Sequence, residues 1–402
     1  MSVVELLFNP LEPGFADDPY PAYERMRELD PVHEHPFGFW LLTRHGDVSE
    51  ILRASLSVDD SLVSGGLVRD QQEQMDQLGS RVLRLSMLDR DPPDHTRLRS
   101  LVAKVFTPRK VAALEPEVTA LVDAALDEIA QGGRVDLVET LAFPLPFAVI
   151  SQMLGMPPTD HARIRELSGL LVRSLEIVAD DETLSAIAKA GAELAALTRE
   201  LIDWKRDHPA DDLLTALIAA ENDGDRLTDE ELVAQVVLLY VAGHETTVNL
   251  IGNGVVALLR NPAQLALLRS DPSLAGNAIE EFLRYDSPVQ QTRRITREPY
   301  AAGGREIPAG AFVIASLASA NRDERVFGPD ADRLRIDRPE ARSQLSFGAG
   351  PHHCLGAALA RLEGRVAIGR LVERFPALAL DGEVTWNGRI NLRGPDRLPV
   401  AV

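Results

Sequence analysis

The sequence predicts a mainly α-helical fold that combines a large helical body with a small β region. Apolar residues recur at helical spacing over long stretches, at residues 111–130, 182–204, 229–259 and 356–375. Strand-like runs are short, and they gather at residues 39–43, 288–317 and 387–400. Because these runs come from distant parts of the chain, we expect a small β region that joins the chain ends to the helical body.

We expect one domain that spans residues 1–402. A chain of this length often holds two or three domains. No long Gly/Ser/Pro linker, charge block or internal repeat divides this one. With 45% hydrophobic residues, the chain can bury a substantial core.

The net charge and the N-terminal residues limit the binding partners and the cellular location that we expect. A formal net charge of −19 argues against binding of nucleic acid. Glu5 interrupts the apolar residues 3–8, and no basic stretch precedes them, so a signal peptide is not expected. The longest apolar run, at residues 236–243, is far shorter than the roughly 20 residues that cross a bilayer. We therefore expect a cytoplasmic monomer without a membrane span.

Cys354 is the only cysteine of the chain. A single cysteine cannot form an intramolecular disulfide or supply a multi-cysteine zinc cage. It is therefore an inert packed side chain, a nucleophile or a single metal ligand. The surrounding residues 347–356 read FGAGPHHCLG, and their glycines and proline bring the backbone close to one thiol. These surroundings favour the metal ligand.

Cys354 also lies where a helix is predicted to begin. Apolar residues keep helical spacing from Leu355 toward Phe375, and Pro376 then stops the helix. Unpaired N–H groups and the positive end of the helix dipole stabilise a thiolate at such a position. We therefore expect the pKa of Cys354 to lie below the ordinary value of about 8.5.

A long helix is predicted between Thr228 and Pro262. Thr228 and Glu231 form a capping box, and Pro262 ends the helix. Its middle holds the segment AGHETT, residues 242–247, although a glycine there costs about 1 kcal/mol relative to alanine. A functional interpretation is a local distortion of the helix around an acid and an alcohol. The alternative is a solvated acid next to a threonine that bonds the carbonyl four residues earlier.

Further charged residues are paired by helical spacing. Glu281 and Arg284 are three residues apart and share one helix face, and His95 and Arg99 are one turn apart. Taken alone, such residues are usually surface charges that stabilise a fold by only about 0.3–0.5 kcal/mol.

The Cys354 segment resembles the haem-binding loop of the cytochrome P-450 family, the thiolate-haem monooxygenases, and in particular their soluble bacterial branch. Further matches lie at residues 18–23, 143–146 and 321–323, so the resemblance covers nearly the whole chain. It implies haem b as the cofactor, with Cys354 as the axial ligand of the iron. Such a thiolate donates electron density to iron and favours cleavage of the O–O bond. The residues that the resemblance assigns to haem binding are Cys354, Phe347, Gly348, His352, His95, Arg99 and Arg294, with Arg293 as an alternative to Arg294.

The resemblance also assigns roles on the distal side and in the supporting structure. Glu245 and Thr246 correspond to the acid and alcohol of the family's oxygen-activating signature, and they would deliver protons during catalysis. Glu281 and Arg284 correspond to its Glu-x-x-Arg pair, with Arg338 as a third member that supports the loop before the cysteine. Leu334 and Gln344 depart from the family, where a Phe and a His are common. These departures leave the packing of that loop open.

The resemblance implies a monooxygenase that inserts one atom of dioxygen into a hydrophobic small molecule. Overall similarity points to hydroxylases of macrolides, other polyketides or steroid-like molecules, including vitamin D. Epoxidation or oxidative coupling by the same haem centre is an alternative, as is a haem-binding sensor without oxygen chemistry. A non-haem metal centre at residues 352–354 is a further alternative, but three adjacent ligands would strain against one another. The residues expected to line the substrate pocket are Leu238, Val241, Ala242, Val289 and Leu392.

The electron donors are expected to be separate proteins, because the chain holds no flavin or nicotinamide module of its own. Soluble bacterial relatives use a ferredoxin and a ferredoxin reductase. Lys104, Arg109, Lys110 and Arg361 are expected to form a basic patch on the cysteine side, complementary to an acidic ferredoxin.

A second cluster of possible ligands is His33, Glu34 and His35. Because Pro31 and Pro36 flank it, we interpret it as an exposed turn in preference to a metal site.

Overall fold

The structure, a computed structural model, describes residues 7–78, 83–157, 161–176, 180–222 and 225–402. Helices dominate this part of the chain and strands are few and short, so the predicted mainly α-helical class is confirmed. The α-helices of the described residues are α1 Tyr20–Leu29, α2 His45–Arg53, α3 Leu67–Gln77, α4 Asp94–Val105, α5 Pro108–Ala113, α6 Glu115–Gly132, α7 Pro144–Met153, α8 His161–Val172, α9 Asp181–Asp207, α10 Leu213–Ile218, α11 Asp229–Arg260, α12 Pro262–Ser270, α13 Ala275–Tyr285, α14 Leu317–Ala320, α15 Glu324–Phe327 and α16 Ala357–Arg374.

The β region consists of small sheets. The strands of the described residues are β1 Val32–Glu34, β2 Phe39–Leu42, β3 Arg134–Asp136, β4 Glu221–Asn222, β5 Asp225–Arg226, β6 Gln291–Ile295, β7 Tyr300–Ala302, β8 Arg305–Ile307, β9 Phe312–Ser316, β10 Ala379–Leu380, β11 Thr385–Trp386, β12 Pro395–Arg397 and β13 Pro399–Ala401. The largest sheet has the order β1-β2-β9-β6, in which β2 and β9 are parallel and the other pairs are antiparallel. In a second sheet β13 lies between β10 and β3, so the end of the chain pairs with its middle. The predicted joining of distant segments is confirmed.

Helix α11 is the central helix of the fold. The side chain of Thr228 accepts the N–H of Glu231, and the Glu231 carboxylate accepts the N–H of Thr228, so the predicted capping box is confirmed. Most of α11 is buried, and it packs on α7, α9, α13 and α16. The helix is continuous from Asp229 to Arg260, so Gly243 and the two threonines do not interrupt it.

The helix predicted at residues 111–130 is in fact two helices. Helix α5 ends at Ala113, and α6 begins at Glu115 with Pro116 in its first turn. Proline has no N–H to donate and its ring clashes with the carbonyl four residues earlier, so it fits a first turn and not a helix interior. The prediction of one helix was wrong because it passed over this proline.

His33 and His35 are buried, so the prediction of an exposed turn was wrong. Each histidine is only 4% exposed. His33 Nδ1 lies 2.8 Å from the Asp30 carboxylate, and His35 Nε2 lies 2.9 Å from the carbonyl oxygen of Phe8. The His35 ring stacks on Phe39 of β2, and the two histidine rings lie 5.7 Å apart. The flanking prolines did not reveal this burial, because Phe8, the hydrogen-bond partner of His35, comes from a distant segment.

One large apolar cluster fills the helical body and contains residues of α4, α6, α7, α9, α11, α13 and α16. Smaller clusters lie under the largest sheet and around the N-terminal segment. Across the described ranges, no helix is both long enough and apolar enough to cross a membrane.

Candidate active site

A cavity of about 310 Å³ lies between the middle of α11 and the segment that holds Cys354. Leu238, Leu239, Ala242, Gly243 and Thr246 line it from α11. The opposite wall carries Phe347, Gly348, His352 and Cys354. Other lining residues are Met87, Leu88, Phe106, Ile150, Val289, Thr292 and Leu317. The cavity is therefore mostly apolar, with one thiol in its wall.

The backbone of the cysteine segment is held in a tight shape. The N–H of Cys354 donates to the Phe347 carbonyl at 2.8 Å, and the N–H of Gly348 donates to the Leu345 carbonyl at 2.7 Å. Gly350 has φ +70°, and a Cβ at this position would lie 2.5 Å from the carbonyl oxygen of Leu52. Only glycine fits there. The resulting turn directs Cys354 into the cavity, onto which its side chain opens.

The electrostatic setting of Cys354 differs from the prediction. The N–H groups of Gly356 and Ala357, at the start of α16, and the charges of Arg99 and Arg361 do act to lower the pKa of the thiol. Burial acts more strongly and raises the pKa of Cys354 above its ordinary value. The expected lowered pKa is therefore not found in the protein alone. A positive charge bound in the cavity beside the thiol would act in the same direction as Arg99 and Arg361 and would favour the thiolate.

Cationic and imidazole side chains gather beside the cysteine segment. The rings of His95 and His352 lie 4.1 Å apart. His95 Nε2 is buried and has no hydrogen-bond partner among the described residues. Burial, together with the neighbouring His95 and Arg294, lowers the pKa of His352 to about 3. Arg99 completes the group and donates to the carbonyl of His353 at 2.6 Å. The Asp91 carboxylate acts on this group from a distance, but it is bound to Ser57, Val58 and Arg297. Among the described residues, no carboxylate forms an ion pair with Arg99 or Arg294.

Arg294, and not Arg293, belongs to this group. Arg293 donates to Asp60 at 2.6 Å and to Asp89 at 2.7 Å. Arg294 is 3% exposed and donates only to the carbonyls of Arg293 and Leu52, with no carboxylate partner within the described ranges. Burial lowers the pKa of Arg294 to about 10. A buried guanidinium without a counter-ion is costly, and a carboxylate ligand would remove that cost.

These observations fit a bound haem. Haem carries carboxylate groups for the unpaired cations, a flat apolar ring for the cavity and an iron for the thiol. The orphaned nitrogen of His95 and the unpaired Arg294 are explained if the haem carboxylates lie beside them. His95, Arg99, Arg294 and His352 are the residues that would hold them.

The predicted proton-delivery residues do not both face the cavity. The hydroxyl of Thr246 donates to the carbonyl of Ala242 at 2.9 Å, as in the structural alternative given above. Glu245 is not on the cavity wall, because it forms an ion pair with Arg389 at 2.5 Å. The two side chains of that pair are 13% and 23% exposed. The carboxylate is therefore near the cavity and held outside it.

The three predicted supporting residues form a buried ion triad. Arg284 donates twice to the Glu281 carboxylate, at 2.7 and 2.8 Å, and the Nε of Arg338 lies 3.3 Å from the same carboxylate. All three side chains are at most 1% exposed. The arginines also donate to carbonyls of residues 321, 327, 330, 331 and 333. The triad thus fixes the chain that leads to the cysteine segment.

The two departures from the family have defined places. Gln344 donates to Glu280 and accepts the N–H of Ser346, so it supports the start of the cysteine segment. Leu334 is buried in the main core. Both residues therefore fill structural positions.

Some predicted lining residues lie elsewhere. Leu238, Ala242 and Val289 line the cavity, as expected. Val241 points into the core, because it lies on a different face of α11 from Leu238, Ala242 and Thr246. Leu392 pairs with Val289 through an isolated bridge and lies behind it. Sequence reasoning also missed Arg389 as the partner of Glu245, since no local pattern connects residues 144 positions apart.

A helical body that presents one thiol and a set of unpaired cations to an apolar cavity defines a thiolate-ligated haem protein. The family model for cytochrome P450 matches residues 24–271 and 273–387. The chain therefore belongs to the cytochrome P450 family.

Relatives of known name and structure agree. The chain is 44% identical to a vitamin D(3) 25-hydroxylase of Pseudonocardia autotrophica, over 96% of this chain and 94% of that protein. It is 43% identical to the cytochrome P450 monooxygenase PikC of Streptomyces venezuelae, over 96% and 91%. The ligand-free structure of CYP164A2 of Mycobacterium smegmatis matches with a TM-score of 0.90 and 40% identity, over 99% of both chains. The protein is thus a cytochrome P450 monooxygenase with a haem cofactor, which takes electrons from a redox partner and acts on a hydrophobic substrate.

Proposed function

We propose that the protein hydroxylates a hydrophobic small molecule of macrolide, polyketide or steroid-like type. The observation that carries this proposal is the apolar cavity onto which Cys354 opens. An apolar ligand would bind favourably here, because it removes from water the apolar surfaces of Leu238, Ala242 and Val289. The similarity to a vitamin D(3) hydroxylase supports this class of substrate. Epoxidation and oxidative coupling are outcomes that product analysis distinguishes.

The cofactor would be haem b, and Cys354 would be the residue that binds its iron. Bound haem supplies the redox chemistry that activates dioxygen and inserts one oxygen atom into the substrate. With the positive charge of an iron bound beside it, Cys354 would be held as the thiolate despite the burial that raises its pKa. His95, Arg99, Arg294 and His352 bind the haem carboxylates, and Phe347 and Gly348 shape the wall beside the ring.

Thr246 and Glu245 deliver protons to the reacting oxygen. The Thr246 side chain lies on the cavity wall, and its hydroxyl donates a hydrogen bond to the Ala242 carbonyl. During catalysis the hydroxyl donates instead to an acceptor in the cavity. Glu245 exchanges protons with solvent from its partly exposed place beside Arg389. Arg389 holds this carboxylate beside the cavity, from where it supplies protons toward Thr246.

The electron donors are a ferredoxin and its reductase. Lys104, Arg109 and Lys110 are exposed on α4 and α5, and α5 packs on α16, the helix that follows Cys354. Arg361 is engaged with Glu280 and lies over the Phe347 ring, so it contributes less to the surface charge. Lys110→Glu and Arg109→Glu should lower the rate of electron transfer and its dependence on salt. Lys189→Glu, on the exposed face of α9, is the matched control, and an equal effect of that substitution would contradict the patch.

We further propose that residues 1–402 form one domain that acts as a monomer in the cytoplasm. Size-exclusion chromatography with light scattering tests the monomer, and a mass of twice 43.9 kDa or more would contradict it.

The proposed substrate class is tested by titrating the ferric haem spectrum with vitamin D₃, testosterone, a macrolide and a terpenoid. A saturable low-spin to high-spin change identifies a ligand that displaces water from the iron. Turnover with ferredoxin, reductase and NADPH should then give a product heavier by one oxygen atom. If no ligand of these classes changes the spectrum or is converted, the proposed substrate class is wrong.

A haem-binding sensor is separated from a monooxygenase by Thr246→Ala. In a monooxygenase this substitution should increase the hydrogen peroxide released per dioxygen consumed. Thr246→Ser keeps the hydroxyl and should retain most of the wild-type coupling. Equal coupling in the wild type and in Thr246→Ala would contradict the role of Thr246.

A further inference from the structure

The Glu176 carboxylate binds a turn near the C-terminal end of the chain, far from Glu176 in the sequence. We name residues 387–393 the tail turn. The Glu176 carboxylate accepts the N–H of Ile390 at 3.0 Å and the N–H of Asn391 at 3.2 Å. The side chain of Asn391 donates in return to the carbonyl of Leu175 at 2.9 Å. The segment that follows α8 is thus tied to the tail turn through both backbone and side chain.

The Glu176 carboxylate is largely removed from solvent, unlike the carboxylate of an ordinary surface contact. Burial raises the pKa of Glu176, while the N–H groups of residues 390–392 and the charge of Arg389 act in the opposite direction. A carboxylate is kept in such a place only if hydrogen bonds replace the water that it loses. If Glu176 were removed, the buried N–H groups of Ile390 and Asn391 would lose their partner.

The tail turn contacts two parts of the active site. Arg389 extends from it to the Glu245 carboxylate on α11. On its other side, the N–H of Arg393 donates to the Pro288 carbonyl, the Asn391 carbonyl accepts from Gln290, and Leu392 pairs with Val289. Val289 lines the cavity, whereas Glu176 does not. A residue outside the cavity is therefore connected to the acid of α11 and to the cavity wall.

We propose that Glu176 is a positioning residue that sets the place of the Glu245 carboxylate through the tail turn and Arg389. This inference rests on the proposed role of Glu245 in proton delivery. Glu176 fixes the backbone on the C-terminal side of Arg389, and Arg389 then holds Glu245 beside the cavity.

Energetic considerations support this order of action. An ion pair between two partly exposed side chains is worth about 0.2–1 kcal/mol, because holding the long arginine in one conformation costs entropy. A fixed backbone at residues 390 and 391 removes part of that cost. Without Glu176, the Arg389–Glu245 pair should therefore be less populated, and the position of the acid less defined.

The experiment measures the hydrogen peroxide released per dioxygen consumed by the haem-loaded enzyme with ferredoxin, reductase and NADPH. Vitamin D₃ is the probe ligand, and the ligand-free enzyme is measured in parallel. Glu176→Gln should raise the peroxide yield toward its limit of one per dioxygen consumed, because a reacting group that is slightly misplaced loses much of its rate. Glu182→Gln, the same change at an exposed position of α9, should leave the yield unchanged. Glu176→Asp is the second variant, and it should lie between the wild type and Glu176→Gln.

A double-variant comparison separates positioning from general destabilisation. If Glu176 acts through Arg389, then Glu176→Gln adds nothing to the peroxide yield of Arg389→Ala. Arg389→Lys should restore part of the coupling. Effects that add independently, or a Glu176→Gln variant with lower thermal stability and normal coupling, would overturn the proposal.

Hydrogen–deuterium exchange gives a readout that needs no turnover. The amides of residues 390 and 391 should exchange about tenfold faster in Glu176→Gln than in the wild type, since each tenfold change corresponds to the loss of about one hydrogen bond. Unchanged exchange would contradict the hydrogen bonds from Glu176 to these amides. If the wild type forms no oxygenated product but the Glu176→Gln substitution still speeds amide exchange at residues 390 and 391, the proposed function is wrong. The hydrogen bonds from Glu176 to the tail turn are then still supported.

Discussion

Arg293 and Arg294 are neighbours on β6 with opposite environments. Arg293 is neutralised by Asp60 and Asp89, whereas Arg294 is buried without a carboxylate partner among the described residues. Both residues line the cavity, but the Arg293 guanidinium is bound by two carboxylates, which leaves Arg294 as the one available to a bound anion. The spacing alone left both as candidates, and the ion pairs of Arg293 decide between them.

We expect the two arginines to have separable effects. Arg294→Gln should speed the loss of haem to an excess of apomyoglobin by about tenfold, because a charge-assisted hydrogen bond is worth about 1.5–3 kcal/mol. Arg293→Gln should lower thermal stability and leave the rate of haem loss near that of the wild type. A faster loss of haem from Arg293→Gln than from Arg294→Gln would reverse the assignment.

Gly350 should not tolerate a side chain. In Gly350→Ala the added Cβ would lie 2.5 Å from the Leu52 carbonyl oxygen, at a φ of +70° that alanine rarely adopts. We expect purified Gly350→Ala to retain little haem, as measured by the ratio of haem to protein. Gly369→Ala is the control, because a Cβ there meets no described atom within 4 Å and lies in helix α16. It should stabilise the protein by about 0.4–1 kcal/mol, and a loss of haem from this control would show that α16 tolerates no change.

Sequence signals predicted those parts of the fold that local chemistry decides. The capping box at Thr228 and the proline at position 262 set the ends of α11, and the glycines around Cys354 marked the tight loop. His95 and Arg99 of α4 lie beside His352 and His353 of that loop, as the resemblance implied. These features depend on neighbours within a few positions along the chain.

Other features depend on contacts between distant segments. The burial of His35 depends on Phe8, which is 27 positions away, and the orientation of Glu245 depends on Arg389. The pKa of Cys354 was misjudged because the helix start is a local feature, whereas burial is a property of the whole fold. The periodicity of the sequence indicates neither these long-range contacts nor the burial of a particular side chain.

The buried ion triad should be costly to break. Glu281→Gln would leave Arg284 and Arg338 buried without a carboxylate, which costs about 3–5 kcal/mol. Urea denaturation of the haem-loaded protein measures this loss. Glu340→Gln, at an exposed position in the same region, should change stability by no more than about 0.5 kcal/mol. Similar stabilities for the two variants would argue against a supporting role for the triad.

Glu363 predicts a specific dependence of stability on pH. Burial raises the pKa of this residue on α16 to about 8, and its Oε2 has no hydrogen-bond partner among the described residues. The folded protein therefore keeps a proton that the unfolded chain releases above about pH 4.3. The free energy of unfolding should then fall as pH rises between these two values, because the folded state binds more protons.

Glu363→Gln removes this titration while keeping the size of the side chain. Relative to the wild type, the variant should gain a few degrees in thermal midpoint near pH 8 and little near pH 5. Glu373→Gln, at an exposed position on the same helix, should parallel the wild type at every pH. An equal gain for Glu363→Gln at both pH values would mean that the residue does not titrate in this range.

The most direct measurement is the absorption spectrum of the reduced carbonyl complex of the wild type and of Cys354→Ser. Cys354 is the only cysteine, so no other thiol can replace it. We predict the red-shifted Soret band of a thiolate-ligated haem in the wild type and its complete absence in Cys354→Ser. A thiolate-type spectrum that persists in Cys354→Ser, or a wild type that never shows one, would contradict the assignment of Cys354 as the iron ligand.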